Sequence, residues 1–407
     1  MFKNKKNKEE KVDSGEEELI FKISAKDYSE LDEEQRKEWT PIKAKYEKMP
    51  AFCIVSLIIT SLSIILYVLF EISETFADFF NRYISMSLRI VLAKITNIIP
   101  ISLAELIVIL LPVIGFLAIW YLLKFRCETK RSTMIATFSV LSATGLLLSC
   151  FVWCFAAGYR VPTLDKRLGL ESEPISAQEL YETTEHLTEK INELTPYIKY
   201  GEDGFSQMPY TLSELNQKLI EAYDKFCEKH DFITNFNSRI KPIVLSKALS
   251  YTHITGIYTF FTGEANLNVN FPDYTIPFTA AHELAHQRGI AREDEANMMA
   301  FLVCMESDDP YIRYSAYTNV YEFVASALGK ADSELYSIVR PKISASFYYE
   351  QVAFSSFFEK YRKSVASQVS GAVNDAYLVS QGTAGKQSYG MVVDLTVAYY
   401  KRQGIVN

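Results

Sequence analysis

His282-Glu283-Leu284-Ala285-His286 sets two imidazoles four residues apart, with a carboxylate one step after the first. On a helix, positions i and i+4 share a face, so both rings can reach one ion while Glu283 stands beside that ion's open position. Zn²⁺ suits this donor set: it lowers the pKa of bound water, and the adjacent glutamate can take the proton. The chemistry indicated is metal-assisted hydrolysis, with His282 and His286 as metal ligands and Glu283 as general base. Only five histidines occur in 407 residues, so chance alone yields the pattern in roughly half a percent of such chains. Two solvated histidines on a surface helix, or a metal site without turnover, are the competing explanations, and the flanking residues must decide.

Pro272 and Pro277 interrupt what precedes the motif, and Thr279 is expected as the N-cap of its helix. A third protein ligand is needed. The metzincin pattern would require a histidine where Arg292 stands, and a permanent guanidinium cation cannot ligate zinc. Carboxylates remain, from Glu293, Asp294 and Glu295. In an unbroken helix Glu295 would lie roughly 13 Å beyond His286 along the axis and on the far face, so the chain must reverse. Gly289 allows a left-handed helix end, and the acidic cluster suits the first turn of a second helix, where the dipole favours negative charge. Glu295-Ala296-Asn297, followed by Ala300 and Phe301, resembles the glutamate-alanine motif of gluzincin peptidases. That resemblance implies Glu295 as the third metal ligand, and Glu293 is the fallback within the acidic cluster.

Three apolar runs, about 51–72, 99–123 and 133–157, are each long enough to cross a hydrocarbon layer of roughly 30 Å. The first follows fifty polar residues, so it does not read as a cleaved signal peptide. Lys37, Lys43, Lys45 and Lys48 precede it, and Lys124, Arg126, Lys130 and Arg131 crowd the short loop between the second and third runs. This places the amino end in the cytoplasm and everything past about residue 158 outside it, in a multi-pass cell-membrane protein. Arg160, Lys166 and Arg167 argue for the opposite sense. Residues 73–98 have apolar positions at helical spacing, as in a helix lying on the membrane surface or a plain connecting helix. Residues 1–50 are charged and read as a mostly disordered cytoplasmic tail. The net charge of −7 is spread along the chain without a basic, aromatic-interleaved stripe, which excludes nucleic acid as a partner. Of six cysteines, Cys227 and Cys304 are the only pair in the outer part that could bridge.

Residues 159–407 are enough for one domain. Capping boxes at Ser176/Glu179 and Thr211/Glu214 start two helices. From Ile254 to Phe271 the period changes, and Ala265, Leu267, Val269 and Phe271 alternate with Asn266, Asn268 and Asn270. This predicts a hairpin with one apolar and one polar face, whose asparagine-bearing strand is a candidate edge for a peptide substrate. His186, His230 and His253 are read as surface or capping residues. Further helices are expected at 311–329, 333–339, 344–369 and 391–402, with their tyrosines and phenylalanines packed in the core. The fold class expected is mainly α: three transmembrane helices, then a helix-rich α+β domain of zincin type with a small hairpin or sheet beside the motif helix.

GYRVPTLDKRLGL, SYTHITGIYTFFTGEANLNVN, IPFTAAHELAHQRGIAREDEANMMAFLVC and NDAYLVSQGTAGKQSYGMVVDL together resemble the bacterial family called domain of unknown function 3810, over roughly residues 100–400. The resemblance implies a multi-pass membrane protein of gluzincin-like type, with His282, His286 and Glu295 at the metal positions and Glu283 as base. The expectation that follows is a membrane-anchored zinc peptidase acting on envelope or secreted polypeptides. The alternative is a non-catalytic, zinc-stabilised receptor or assembly factor. Proteolysis inside the bilayer is disfavoured, because QRGIAREDEAN is too polar for hydrocarbon.

Overall fold

The computed structural model describes residues 21–23, 25–41, 49–126, 130–171, 173–385 and 391–406. The chain divides into two compact units, Met1–Ile65 with Ile107–Ser149, and Leu66–Leu106 with Cys150–Asn407. Within the segment expected to be mostly disordered, Phe21–Ile23 pairs in parallel with Trp39–Pro41, with short helices at Ala25–Glu30 and Gln35–Glu38. The remainder of that tail, 1–20, 24 and 42–48, lies outside the described residues.

Helices α1 (Ala51–Ile72), α2 (Met86–Thr96), α3 (Leu103–Arg126) and α4 (Lys130–Cys154) follow. Of these, α1, α3 and α4 are long and apolar enough to cross a membrane. Their large side chains point outward, among them Ile58, Ile64, Phe116 and Ile119, and so broad an apolar surface calls for hydrocarbon around it. The second run starts at Leu103 rather than 99, because Ser102 Oγ accepts the Glu105 amide proton at 2.9 Å and caps the helix there. The third ends at Cys154 and gives way to a 3₁₀ turn, Ala156–Tyr159.

The loop between the first two runs is helical in three pieces: Glu74–Phe79, a π-helical stretch Phe80–Ser85, and α2. One side of it is buried through Asn81, Ser85, Arg89 and Ala93, while Tyr83, Val91 and Ile95 remain exposed. Arg89 is fully buried with no carboxylate partner among the described residues; it donates to Asn81 Oδ1 at 3.0 Å, Asn81 O at 3.1 Å and Cys154 O at 2.7 Å. Satisfying the guanidinium with neutral acceptors offsets part of its desolvation.

In the second unit, α5 (Ala177–Leu194) and α6 (Leu212–Lys229) begin at the capping boxes of Ser176 and Thr211. A three-stranded sheet comes next, β1 (Ile240–Pro242), β2 (Gly256–Thr259) and β3 (Glu264–Leu267), in the order β1-β3-β2. The β2–β3 pair is the expected antiparallel hairpin, with Ile257 opposite Asn266. Its polar face is another matter. Strand β3 is central, with β1 parallel on its other side, so it is buried throughout and is not an edge. Asn266 Nδ2 donates to Ile257 O at 3.1 Å, and Asn268 Nδ2 to Ile254 O at 2.8 Å. The alternation that suggests a solvated face is a set of buried amides tying down the neighbouring chain. Glu264 forms a fully buried ion pair with Lys241, and its carboxylate also accepts the Leu103 and Ala104 amides at 3.1 and 2.9 Å, capping α3.

The chain closes with α7 (Ile276–Gln287), α8 (Glu293–Met305), α9 (Pro310–Ala331), Ser333–Val339, α10 (Ala345–Arg362), α11 (Val365–Ser380) and α12 (Val392–Arg402). The single helix expected over 344–369 is two, because Ser364 leaves the helix and caps α11 by accepting the Ser367 amide at 2.9 Å. Tyr223, Phe301, Tyr314 and Phe347 are fully buried in one large apolar cluster. Cys227 and Cys304 are free thiols.

Candidate metal centre

Helix α7 begins earlier than its sequence suggests. Thr275 is the N-cap and Pro277 lies in the first turn, where its missing N–H and fixed φ are favourable; Thr279 is already helical and donates to Thr275 O at 2.9 Å. Of its twelve residues only His282 is not buried. A helix enclosed on all sides must satisfy its polar groups within the protein. Gln287 Nε2 donates to Gly263 O at 2.8 Å, and Arg288 donates to Asn235 Oδ1 and Phe236 O while lying over the Tyr223 ring at 4.3 Å. The Tyr223 hydroxyl in turn donates to Ala281 O at 2.7 Å, holding α6 to α7.

The reversal occurs at Gly289, with φ +97° and the Ile290 amide bonded back to Ala285 O at 3.1 Å. A side chain there would run into the Arg89 guanidinium. Four residues, 289–292, make the turn, and α8 starts at Glu293 with Arg292 as its cap residue. Residues two apart on a helix point roughly 200° apart, so only one of Glu293 and Glu295 can face α7.

It is Glu293. Its Oε2 lies 3.2 Å from His282 Nε2 and 3.5 Å from His286 Nε2, and one donor atom from each of the three residues falls within 4.8 Å of the others. Glu295, expected at the metal from the motif resemblance, is not brought to the imidazoles. Its Oε1 accepts the Leu164 amide at 3.0 Å and lies 3.8 Å from Arg292 Nη1, so it fastens the segment after α4 to α8. Burial raises its pKa to about 7.

The three residues fit a small divalent cation. His286 Nδ1 is 2.7 Å from Ile290 O; as the donor of that bond it presents a bare Nε2 toward Glu293. Burial favours the uncharged form of His286, yet the Glu293 carboxylate overrides it and lifts the pKa to about 9. Burial works against the Glu293 anion too, but His286 and His282 hold its carboxyl well below the usual range. The space between the two imidazoles and the carboxylate is therefore one of negative potential lined by nitrogen and oxygen donors, which suits a cation. His282 Nδ1 and Glu283 Oε2 are buried without a hydrogen-bond partner among the described residues. His282 and Glu293 keep 12 % and 15 % of their side-chain surface, enough to open the cluster to the outside.

Glu283 is 4 % exposed, and burial raises its pKa to about 7 against the pull of His282 and His286. It packs under β2: a Cβ on Gly256 would come within 2.5 Å of Glu283 Oε1 and 2.8 Å of Cδ. A glycine inside a strand marks such a close approach, so Gly256 is a site residue that the strand pattern around Ile254–Phe261 conceals. The wall beyond is aromatic: Phe155 stands 6.0 Å from the His286 ring and 5.3 Å from Tyr258, while the Tyr159 and Tyr377 hydroxyls are bonded at 3.0 Å. His186, His230 and His253 serve elsewhere, against Tyr400, against Phe226 and on Tyr361 O.

No curated protein and no solved structure shows significant similarity to the chain. The model of the family described as "Protein of unknown function (DUF3810)" matches residues 79–397, a range that takes in α2, α3, α4, the sheet and the His282–His286–Glu293 cluster, and the chain belongs to that family.

Proposed function

We propose that this protein is a membrane-anchored, zinc-dependent peptidase of gluzincin-like type, with His282, His286 and Glu293 as metal ligands and Glu283 as general base. The observation that carries the reading is the convergence of two imidazoles and a carboxylate within 4.8 Å, next to a buried glutamate with an unpartnered oxygen. Zinc bound there would supply Lewis acidity for a peptide carbonyl and for water. Glu283, beside that ion, would take a proton from the attacking water and pass it to the leaving amine. Water's oxygen joins the carbonyl carbon and the C–N bond breaks.

Peptide as substrate class is supported by β2. It runs beside α7 and pairs only with β3 among the described residues, which leaves its second edge, next to Glu283, for an extended chain. This moves the candidate substrate edge from the asparagine strand to β2. The non-cytoplasmic location rests on the basic loop joining α3 and α4, while Ile72, Leu103 and Cys154, the opposite ends of the apolar helices, all join the unit that holds the cluster. Arg160, Lys166 and Arg167, which argued the other way, face Glu71, Glu74 and Asp78 at 2.6, 3.8 and 2.6 Å.

The full-length protein purified in detergent is expected to carry one zinc per chain by atomic emission, and to cleave an unfolded polypeptide in a manner abolished by chelation and restored by zinc. Absence of bound zinc would remove the proposal. Unfolding on chelation with no cleavage at any stage would instead favour the non-catalytic receptor or assembly factor. Gly256→Ala gives a second check. The added methyl must displace the Glu283 carboxylate, and a displacement of about 1 Å is worth about 100-fold in rate. The variant should keep its zinc and lose turnover by that factor.

A further inference from the structure

Resting on that reading, we infer that the substrates are polypeptides anchored in the same bilayer and cut within the first few residues that emerge from it. The cluster leans on the end of an apolar helix. Phe155, whose ring is 6.0 Å from His286, immediately follows Cys154, the last residue of α4. One turn inside α4, Phe151 packs on Phe260 at 5.3 Å, just past β2, and on Tyr377 at 6.1 Å.

The π-helical stretch Phe80–Ser85 and α2 together form a platform under both arms of the site. Asn81 Nδ2 donates to Gly289 O at 3.2 Å beneath the α7–α8 turn. Gly263, in the β2–β3 turn, is so close that a Cβ would lie 2.7 Å from Leu92 Cβ. The outward face of this platform is largely apolar: Tyr83, Val91 and Ile95 are 62, 54 and 59 % exposed and Ile98 beyond the helix end is 82 % exposed, with Ser87 and Lys94 exposed among them, a lysine whose stem can lie along the surface with its ammonium in the headgroup layer. That stripe leads directly into α3. Beside the start of α3, Val244 and Leu245 are 75 and 50 % exposed, with their amides held by the Glu105 carboxylate at 2.9 and 2.7 Å. Continuity with a helix that is apolar all round identifies lipid as what covers the stripe.

A helix is about 10–12 Å across, which sets the height of the Gly289 turn above the surface on which α2 lies. An extended chain advances about 3.3 Å per residue, so about three to four residues leaving the bilayer span that height.

The test uses the full-length protein in phosphatidylcholine–phosphatidylglycerol vesicles. The probes are one unstructured polypeptide in three forms: fused to a transmembrane helix of about 20 residues, separated from that helix by a long helical spacer, and without an anchor. The directly anchored form should be cut at least about 100-fold faster at equal bulk concentration, at sites close to the anchor, with the spacer removing the advantage. Independently of activity, a fluorophore on Val91→Cys or Val244→Cys should be quenched by nitroxide-bearing lipids. Equal cleavage of anchored and free probes, or no quenching at either position, overturns the inference and leaves the peptidase reading intact. Zinc-loaded protein that cuts none of the probes overturns both.

Discussion

Replacing Glu283 by Gln leaves one zinc per chain and lowers hydrolysis of an unfolded polypeptide by about 10²–10⁴-fold, the usual worth of a positioned general base. The amide is nearly isosteric, so the packing against Gly256 and the strand above it survives. What disappears is the ability to accept a proton. The ligand nitrogens and the Glu293 carboxylate are separate groups, and His286 keeps its bond to Ile290 O, so metal content should not change. Undiminished turnover in the variant would sink the proposed mechanism, and loss of zinc would show that Glu283 is part of the coordination shell.

Glu293→Gln and Glu295→Gln should part company in zinc content. Loss of groups that merely orient a ligand costs 10–100-fold in affinity by about the same rule in many metal sites, so loss of an anionic ligand should cost at least about 100-fold. Glu293→Gln is therefore expected to purify with little zinc. Glu295→Gln should retain it, because a glutamine oxygen can still accept the Leu164 amide that Glu295 holds at 3.0 Å. Titration of each variant with zinc in the presence of a competing chelator measures both affinities. The reverse outcome, zinc kept by the first and lost by the second, would require α8 to begin two residues later than it does.

Much of this protein is legible locally. The three apolar runs, the capping boxes of Ser176 and Thr211, the hairpin before the motif and the helix–Gly289–helix reversal all follow from short-range patterns, because each depends on a residue and its neighbours within a turn or two. Where local patterning misleads, a distant contact is responsible. The asparagines alternate as if to face water, but the start of α3, about 160 residues earlier, closes on the face that Asn266 shares with Glu264, whose carboxylate accepts the Leu103 and Ala104 amides, while β1 takes the strand's other edge. Gly256 looks like a weak point in a strand until Glu283 is seen beneath it. Asn81 and Arg89, more than 190 residues before the motif, carry no sign in the sequence that they abut its turn.

Spacing along one helix was sufficient to bring His282 and His286 to the same face with Glu283 beside them, since that relation is a property of helical pitch alone. Which acidic residue joins them depends on where the next helix starts. That point is held by contacts from far away: Gly158 lies so close to Gly289 O that a Cβ would stand 2.9 Å from it, Arg292 Nη2 donates to Tyr159 O at 3.1 Å, and Leu164 donates to Glu295. The segment after α4 thus claims Glu295 and turns Glu293 toward the imidazoles. A shift of two residues in a helix start rotates every side chain by roughly 200°, and only the assembled tertiary structure decides it.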